Sequence, residues 1–260
     1  MGADIQNGDS VKETIAKQQW DENTKLFASA TYKCFADLVL NVTWKMPKYK
    51  RQEKIAYVPT LEDVNALIAG SGKKLAAFLT LLKETGCRCG EAIQIEWTDI
   101  DFQRRTVRIL AEKNSKPRIL PISDQLIAMV ERLPKKEKQI FTCDTNSMRV
   151  NLQITRKRQA YKLNNPRLLK VSFHSLRHLK GTTEYHQTRD LLHVSNLLGH
   201  RNIKSTMRYI DLETALYHSS NEDDFHVKVA ETLEDACKLI ETGFEYVTDM
   251  EGKKLFRKRK

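Results

Sequence analysis

The chain has 260 residues, 40% of them hydrophobic and 30% charged, which suits a soluble globular protein of one large domain or two smaller ones. No apolar run approaches the roughly 18 residues of a membrane span, and the opening MGADIQNGDSVKE holds no apolar stretch of a secretory signal. A net charge of +11 favours an anionic partner, and five irregularly spaced cysteines with no C-x-x-C pair argue against a disulfide framework or a zinc site and for a reducing interior.

In chain order, residues 1–50 read as helical: SVKETIAKQQ and TKLFASATYKCFADLVLNVTW have helical periodicity and no internal Gly or Pro. The basic, Pro-containing stretch KMPKYKRQEK reads as a linker, placed at 51–56. VPTLEDVNALIAG restarts the chain with Thr60 as N-cap, Glu62 and Asp63 in the first turn and Gly70 at the stop. KKLAAFLTLLKETG is a second amphipathic helix ended by Gly86, and GEAIQIEW begins a third. RTVRILAEKNSKPRILPI then changes period: Val107 and Ile109 alternate with charged or polar residues, as do Ile119 and Pro121-Ile122 after the turn EKNSKP, which predicts a β-hairpin. Helices resume at SDQLIAMVERL with Ser123 as N-cap and continue over 146–164, 174–186, 189–198 and 203–217. Beyond 220, FHVKVA reads as a strand, TLEDACKLIETG as a helix closed by Gly243, and FEYVTDMEGKKLFRKRK as a hairpin turning at 250–252, a β-α-β-β tail over 221–260.

Charge is unevenly spread. The 39 residues from Thr145 to Thr183 contain no Asp or Glu and nine Lys or Arg: Arg149, Arg156, Lys157, Arg158, Lys162, Arg167, Lys170, Arg177 and Lys180. A solvated helix face ordinarily mixes signs to limit self-repulsion, so a one-sign run of this length reads as a phosphate-facing surface.

Several short pieces carry candidate chemistry. In TGCRCGEAIQIEWTDID, Gly86 and Gly90 let the backbone turn tightly around Arg88. In FHSLRHLKGTTEYH, His174 and Arg177 share a helix face, and His178 lies one position further round. His174 and His178 have the i, i+4 spacing of a zinc pair, but Ser175 stands where the glutamate of H-E-x-x-H would be and no third ligand is evident, so no metal is expected. In LLGHRN, Gly199 can end a helix and present His200, and Tyr209 follows nine residues after that histidine. The stretch AGSGKK imitates a phosphate loop, but Leu67 and Lys74 occupy positions where that motif needs Gly and Ser or Thr, so no ATP chemistry is expected.

Taken in order, TGCRCGE…WTDID, EKNSKPRILPI, HSLRH, LLGH and STMRYI resemble the tyrosine recombinase (phage integrase) family over about residues 55–215, and the tail GFEYV…KLFRKRK resembles archaeal members. The resemblance implies a mixed α/β, predominantly α-helical fold with a small antiparallel hairpin. It implies a partial helical DNA clamp at 1–50, shorter than is usual in the family, a catalytic domain at 57–220 and the C-terminal tail. It assigns a catalytic set of Arg88, Lys113, His174, Arg177, His200 and Tyr209, with Lys116 as the alternative hairpin lysine. It implies double-stranded DNA as partner, self-assembly as a dimer or tetramer on that DNA, no membrane, no cofactor, and work in a prokaryotic cytoplasm at the nucleoid.

The residue types suit that chemistry. Two guanidiniums, Arg88 and Arg177, can hold the non-bridging oxygens of a phosphodiester in planar geometry. Tyr209, with an ordinary pKa of about 10, would be helped toward phenolate by neighbouring cations. His174 can take its proton or bind the phosphate, His200 can add a hydrogen bond, and Lys113 can protonate the leaving 5′-oxygen. Topoisomerase IB-like relaxation uses the same groups. A DNA-binding protein without catalysis would have no need of a tyrosine at 209.

Overall fold

The computed structural model describes every residue except Met1, Arg51, Glu53, Lys54, Lys113, Asn114, residues 218–224, Glu251, Gly252 and Lys260. It divides into two compact units, Met1–Ile55 and Ala56–Lys260.

In the first unit, α1 (Gly8–Lys17) starts at Asn7, whose side chain accepts from the amides of Asp9 and Ser10, and α2 (Glu22–Phe35) starts at Asp21, which accepts from Thr24. One π-turn, Ala36–Leu40, extends α2. The expected helix through Trp44 stops there because Asn41 takes a left-handed conformation (φ 54°), which asparagine tolerates better than most residues. Val11, Ile15, Tyr32, Ala36 and Trp44 form a small core, with the Tyr32 and Trp44 rings edge to face at 4.8 Å.

The second unit is built around α4 (Lys73–Thr85), preceded by α3 (Leu61–Ala69). Residues Leu75 to Leu82 are all buried, because this helix packs against α3, α6 (Asp124–Glu131), α7 (Thr145–Lys162) and α8 (Phe173–Thr188). Between α4 and α6, α5 (Cys89–Ile93) is much shorter than GEAIQIEW suggests. Its continuation is diverted: Glu96 bridges Gln139, with Ile140 N donating to Ile95 O (3.0 Å) and Trp97 N to Lys138 O (3.2 Å). The hairpin strands β2 (Thr106–Ile109) and β3 (Arg118–Pro121) are joined by β1 (Ile100–Asp101) in an antiparallel sheet of order β1-β2-β3. Val107 and Ile109 point into the core as the alternation requires. The two-residue β1 is too short to leave a period in the sequence.

After α8 come α9 (Leu191–Leu198) and α10 (Lys204–Tyr217), both packed on α8. The C-terminal segment forms β4 (Phe225–Ala230), α11 (Leu233–Glu241), β5 (Glu245–Met250) and β6 (Lys253–Arg259). Its sheet has the order β4-β6-β5, so the basic strand β6 is central, and Ala230, Ala236 and Phe256 fill the space under α11. Of the turn expected at 250–252, Glu251 and Gly252 lie outside the described residues. Among the described residues the protein is thus mostly helical with two small antiparallel sheets. Among the described residues no helix is long and apolar enough to cross a membrane.

Candidate active site

Arg177 is fixed by the ends of two helices. It is 2% exposed, and its guanidinium donates to the carbonyls of Gly86 (Nη1, 2.7 Å) and Leu198 (Nη2, 2.8 Å). Those carbonyls close α4 and α9, where the helix dipole is negative, so both ends stabilise a cation. Each helix can stop there because a glycine follows in the left-handed region, Gly86 at φ 61° and Gly199 at φ 70°. Burial, and then repulsion from Arg88, pull the Arg177 pKa down to about 10, still charged at neutral pH.

Arg88 is the N-cap of α5, and Glu91 three residues on holds it. The Glu91 carboxylate, 1% exposed, accepts from Arg88 N (2.9 Å), Arg88 Nη1 (3.2 Å), Arg118 Nη2 (2.8 Å) and Ser115 Oγ (2.7 Å). Burial alone would raise its pKa, but Arg118, the Arg88 amide and Ser115 together outweigh burial and hold it below the usual value. One carboxylate therefore ties the start of α5 to β3 and to the hairpin tip.

Arg88 and Arg177 open on a cleft of about 590 Å³, which His174, Arg149 and Arg156 also line. The His174 pKa is lowered by partial burial, then by Arg177, Arg208 and Arg88, so its ring is neutral at physiological pH. His174 and His178 meet edge to face at 4.6 Å, and among the described residues no group of three His, Cys, Asp or Glu is placed to hold a metal ion.

His200 and Tyr209 are buried and are not among the residues lining this cleft. His200 follows the Gly199 cap, is 7% exposed, and shares a 2.8 Å hydrogen bond between Nδ1 and Thr206 Oγ1. Burial, then Arg177 and Arg88, lower its pKa to about 3. Tyr209 is 1% exposed, its ring parallel to that of His200 (centroids 6.4 Å apart) and tilted against that of His178 (6.1 Å). The expectation that cations lower the Tyr209 pKa is not met in this state: burial raises it and outweighs Arg177, Arg208 and Arg88.

Five of the six sequence-derived catalytic candidates, Arg88, His174, Arg177, His200 and Tyr209, are thus gathered around one region. Lys113 lies outside the described residues. Lys116, the alternative, is exposed; its amide donates to Gly199 O (3.0 Å), which straps the hairpin to the His200 loop. The basic segment divides. Arg149 and Arg156 reach the cleft, and Arg156 also donates to Val171 O (2.9 Å). Lys157, Lys162 and Lys170 are exposed away from the cleft lining, Arg158 donates to Gly70 O (2.6 Å), and Arg167 stands 3.9 Å from Asp63. Sequence reading missed Glu91, Ser115, Arg118, Thr206 and Arg208. Glu91 alone left a signal, the acid three residues after an N-cap; the others depend on contacts distant in sequence.

A model of the phage integrase family matches residues 59–215. Tyrosine recombinase XerC of Staphylococcus aureus is 33% identical over 139 residues, 50% of this chain and 46% of that protein. The integrase/recombinase-like y4qK protein of Sinorhizobium fredii is 27% identical over 201 residues, 74% of this chain and 65% of that one. The chain therefore spans less than two thirds of the length of these relatives. Among solved structures, lambda integrase (residues 75–356) bound to DNA superposes with a TM-score of 0.60 at 14% identity, covering 84% of each chain. XerH site-specific recombinase bound to difH superposes with a TM-score of 0.59 at 18% identity, covering 81% of this chain and 69% of that one. At these identities the likeness is one of fold.

Proposed function

The chain belongs to the phage integrase family, and on that premise we propose that it is a site-specific DNA recombinase acting through a 3′-phosphotyrosyl intermediate. The observation that carries this reading is the convergence of Arg88, His174 and Arg177 on one cleft, with His200 and Tyr209 stacked together within reach of the charges of Arg177 and Arg88.

In the proposed reaction Arg88 and Arg177 grip the non-bridging oxygens of the scissile phosphate. Their charge stabilises most as the phosphorane-like transition state gathers negative charge. Tyr209 loses its phenolic proton to His174, its Oη bonds to phosphorus, and the bond to the 5′-oxygen breaks. Lys113 gives that oxygen a proton. The phosphotyrosyl bond keeps the energy of the broken ester, so a 5′-hydroxyl can reverse the step without ATP. The exposed cations of 145–183 position the duplex, and copies of the chain assemble as a dimer or tetramer on it. The setting is the cytoplasm and nucleoid of a prokaryote.

The test uses a random-sequence duplex library in EDTA, with recovery and sequencing of DNA bound to protein after SDS. Enrichment of one sequence supports recombination at a defined site. Adducts without sequence preference would favour relaxation of the topoisomerase IB type, and adducts that vanish in EDTA would overturn the proposal.

A further inference from the structure

The cleft between Arg88 and Arg177 contains an acid for which the reaction above has no use. Among the described residues lining it, Glu112 is the one acid, sharing the cleft with Arg88, Arg149, Arg156, His174 and Arg177. Its carboxylate lies against the α-carbon of Gly90: a methyl group built on that glycine would stand 1.9 Å from Oε2, 2.6 Å from Cδ and 2.7 Å from Oε1. Only glycine, two residues after Arg88, leaves that seat open. The Glu112 backbone is fixed, its amide donating to Ser115 Oγ (3.1 Å), while Ser115 Oγ also reaches Glu91 Oε1 (2.7 Å). The side chain is not fixed in the same way, since no hydrogen bond or ion pair to a described residue ties its carboxylate down. The Cys89 thiol beside it feels Arg149 and Glu112 with opposite sign, so the two charges share the cleft.

We propose that the Glu112 carboxylate is the resident anion of the DNA-free cleft, a carboxylate that the scissile phosphate must displace. The inference rests on the reading of this cleft as the phosphate site. A negative group there relieves the mutual repulsion of the cations. It also sets a threshold: only a phosphate held in place by the rest of the duplex outcompetes a tethered carboxylate, which favours correctly seated DNA over chance contacts.

The experiment measures affinity of the full chain for a fluorescent duplex, and separately for inorganic phosphate, across a salt series. Glu112→Gln is expected to tighten both by at least about threefold, since it removes a like charge from the phosphate's seat. Glu112→Asp, one methylene short of Gly90, should fall between it and the parent. Gly90→Ala, whose methyl group fills the seat, should tighten binding in the parent and add almost nothing to Glu112→Gln, because both remove the same contact. Glu131→Gln, an exposed acid on α6, controls for net charge and should change little. Weaker binding by Glu112→Gln, additive effects of the two cleft variants, or an equal gain from Glu131→Gln would overturn the proposal. Arg88→Ala separates this failure from that of the parent reading. If it lowers affinity for phosphate while Glu112→Gln does nothing, only the role of Glu112 falls; if it does nothing, the cleft is not the phosphate site.

Discussion

The Tyr209 ring lies on the backbone of Gly181: a methyl group built on that glycine would stand 2.5 Å from Cζ, 2.7 Å from Cε1 and 2.9 Å from Cε2 of the tyrosine. The candidate nucleophile is therefore packed against α8, the helix that also carries His174 and Arg177. In an unhindered helix Gly→Ala would stabilise by about 1 kcal/mol. Here Gly181→Ala overpacks the site and is expected to destabilise by about 1–3 kcal/mol. In a Tyr209→Ala background the same change should be neutral or stabilising. Equal effects in both backgrounds, read from denaturant midpoints, would contradict the contact.

His178 and His200, 6% and 7% exposed, are neutral in the fold because burial, followed by nearby charged groups, holds their pKa values at about 4 and about 3. A histidine whose folded pKa lies below its unfolded value contributes stability above the unfolded pKa of about 6.5 and loses it as pH falls toward the folded value. Thermal midpoints should therefore decline between about pH 6.5 and pH 5, before carboxylates titrate. His178→Gln should flatten that decline, and an unchanged slope would show that this ring is not buried neutral.

Glu91 joins Arg88, Arg118 and Ser115 from within the protein. Arg118 has a side chain only 6% exposed, so losing its carboxylate leaves a buried cation without compensation. Glu91→Gln is expected to destabilise by about 3–5 kcal/mol, and Glu91→Gln with Arg118→Gln to recover much of that loss. Strand cleavage should fall in the single variant as Arg88 loses its support. A Glu91→Gln protein with parental stability and rate would contradict this.

The two groups of basic residues should behave differently on DNA. Arg149 faces the cleft, whereas Arg158 is engaged with the Gly70 carbonyl at 2.6 Å. Arg149→Ala should reduce the slope of log affinity against log salt by ~0.9, the value of one phosphate contact on duplex DNA. Arg158→Ala should leave the slope unchanged. Equal losses would mean that the whole segment, not one face of it, meets the backbone.

The helices of the second unit were legible because their caps and stops are local. Thr60, Ser123, Gly86 and Gly199 occupy the cap positions their residue types suggest. The candidate site was legible as a series of motifs in order, and the structure brings the described members together. What the sequence could not convey is burial. Phenolate chemistry at Tyr209 looked favourable from the nearby cations, yet the ring is 1% exposed and desolvation prevails. The partners of Glu91 and the Glu112–Gly90 contact join hairpin to helix across more than 20 residues, and no local period records them. The early end of α5 reflects competition from residues 138–140 for its backbone, again a tertiary effect.

The central claim is that Tyr209 is the group that becomes bonded to DNA, and peptide mapping of the covalent adduct tests it most directly. The substrate is a random-sequence duplex library with 5′-bridging phosphorothiolates, whose thiolate leaving group needs no proton and so traps cleavage whatever becomes of Lys113. In EDTA the parent chain should yield an SDS-stable adduct on the peptide containing Tyr209, and Tyr209→Phe should bind the duplex with parental affinity and yield none. An adduct on Tyr217 or Tyr185, or one that persists in Tyr209→Phe, would contradict it.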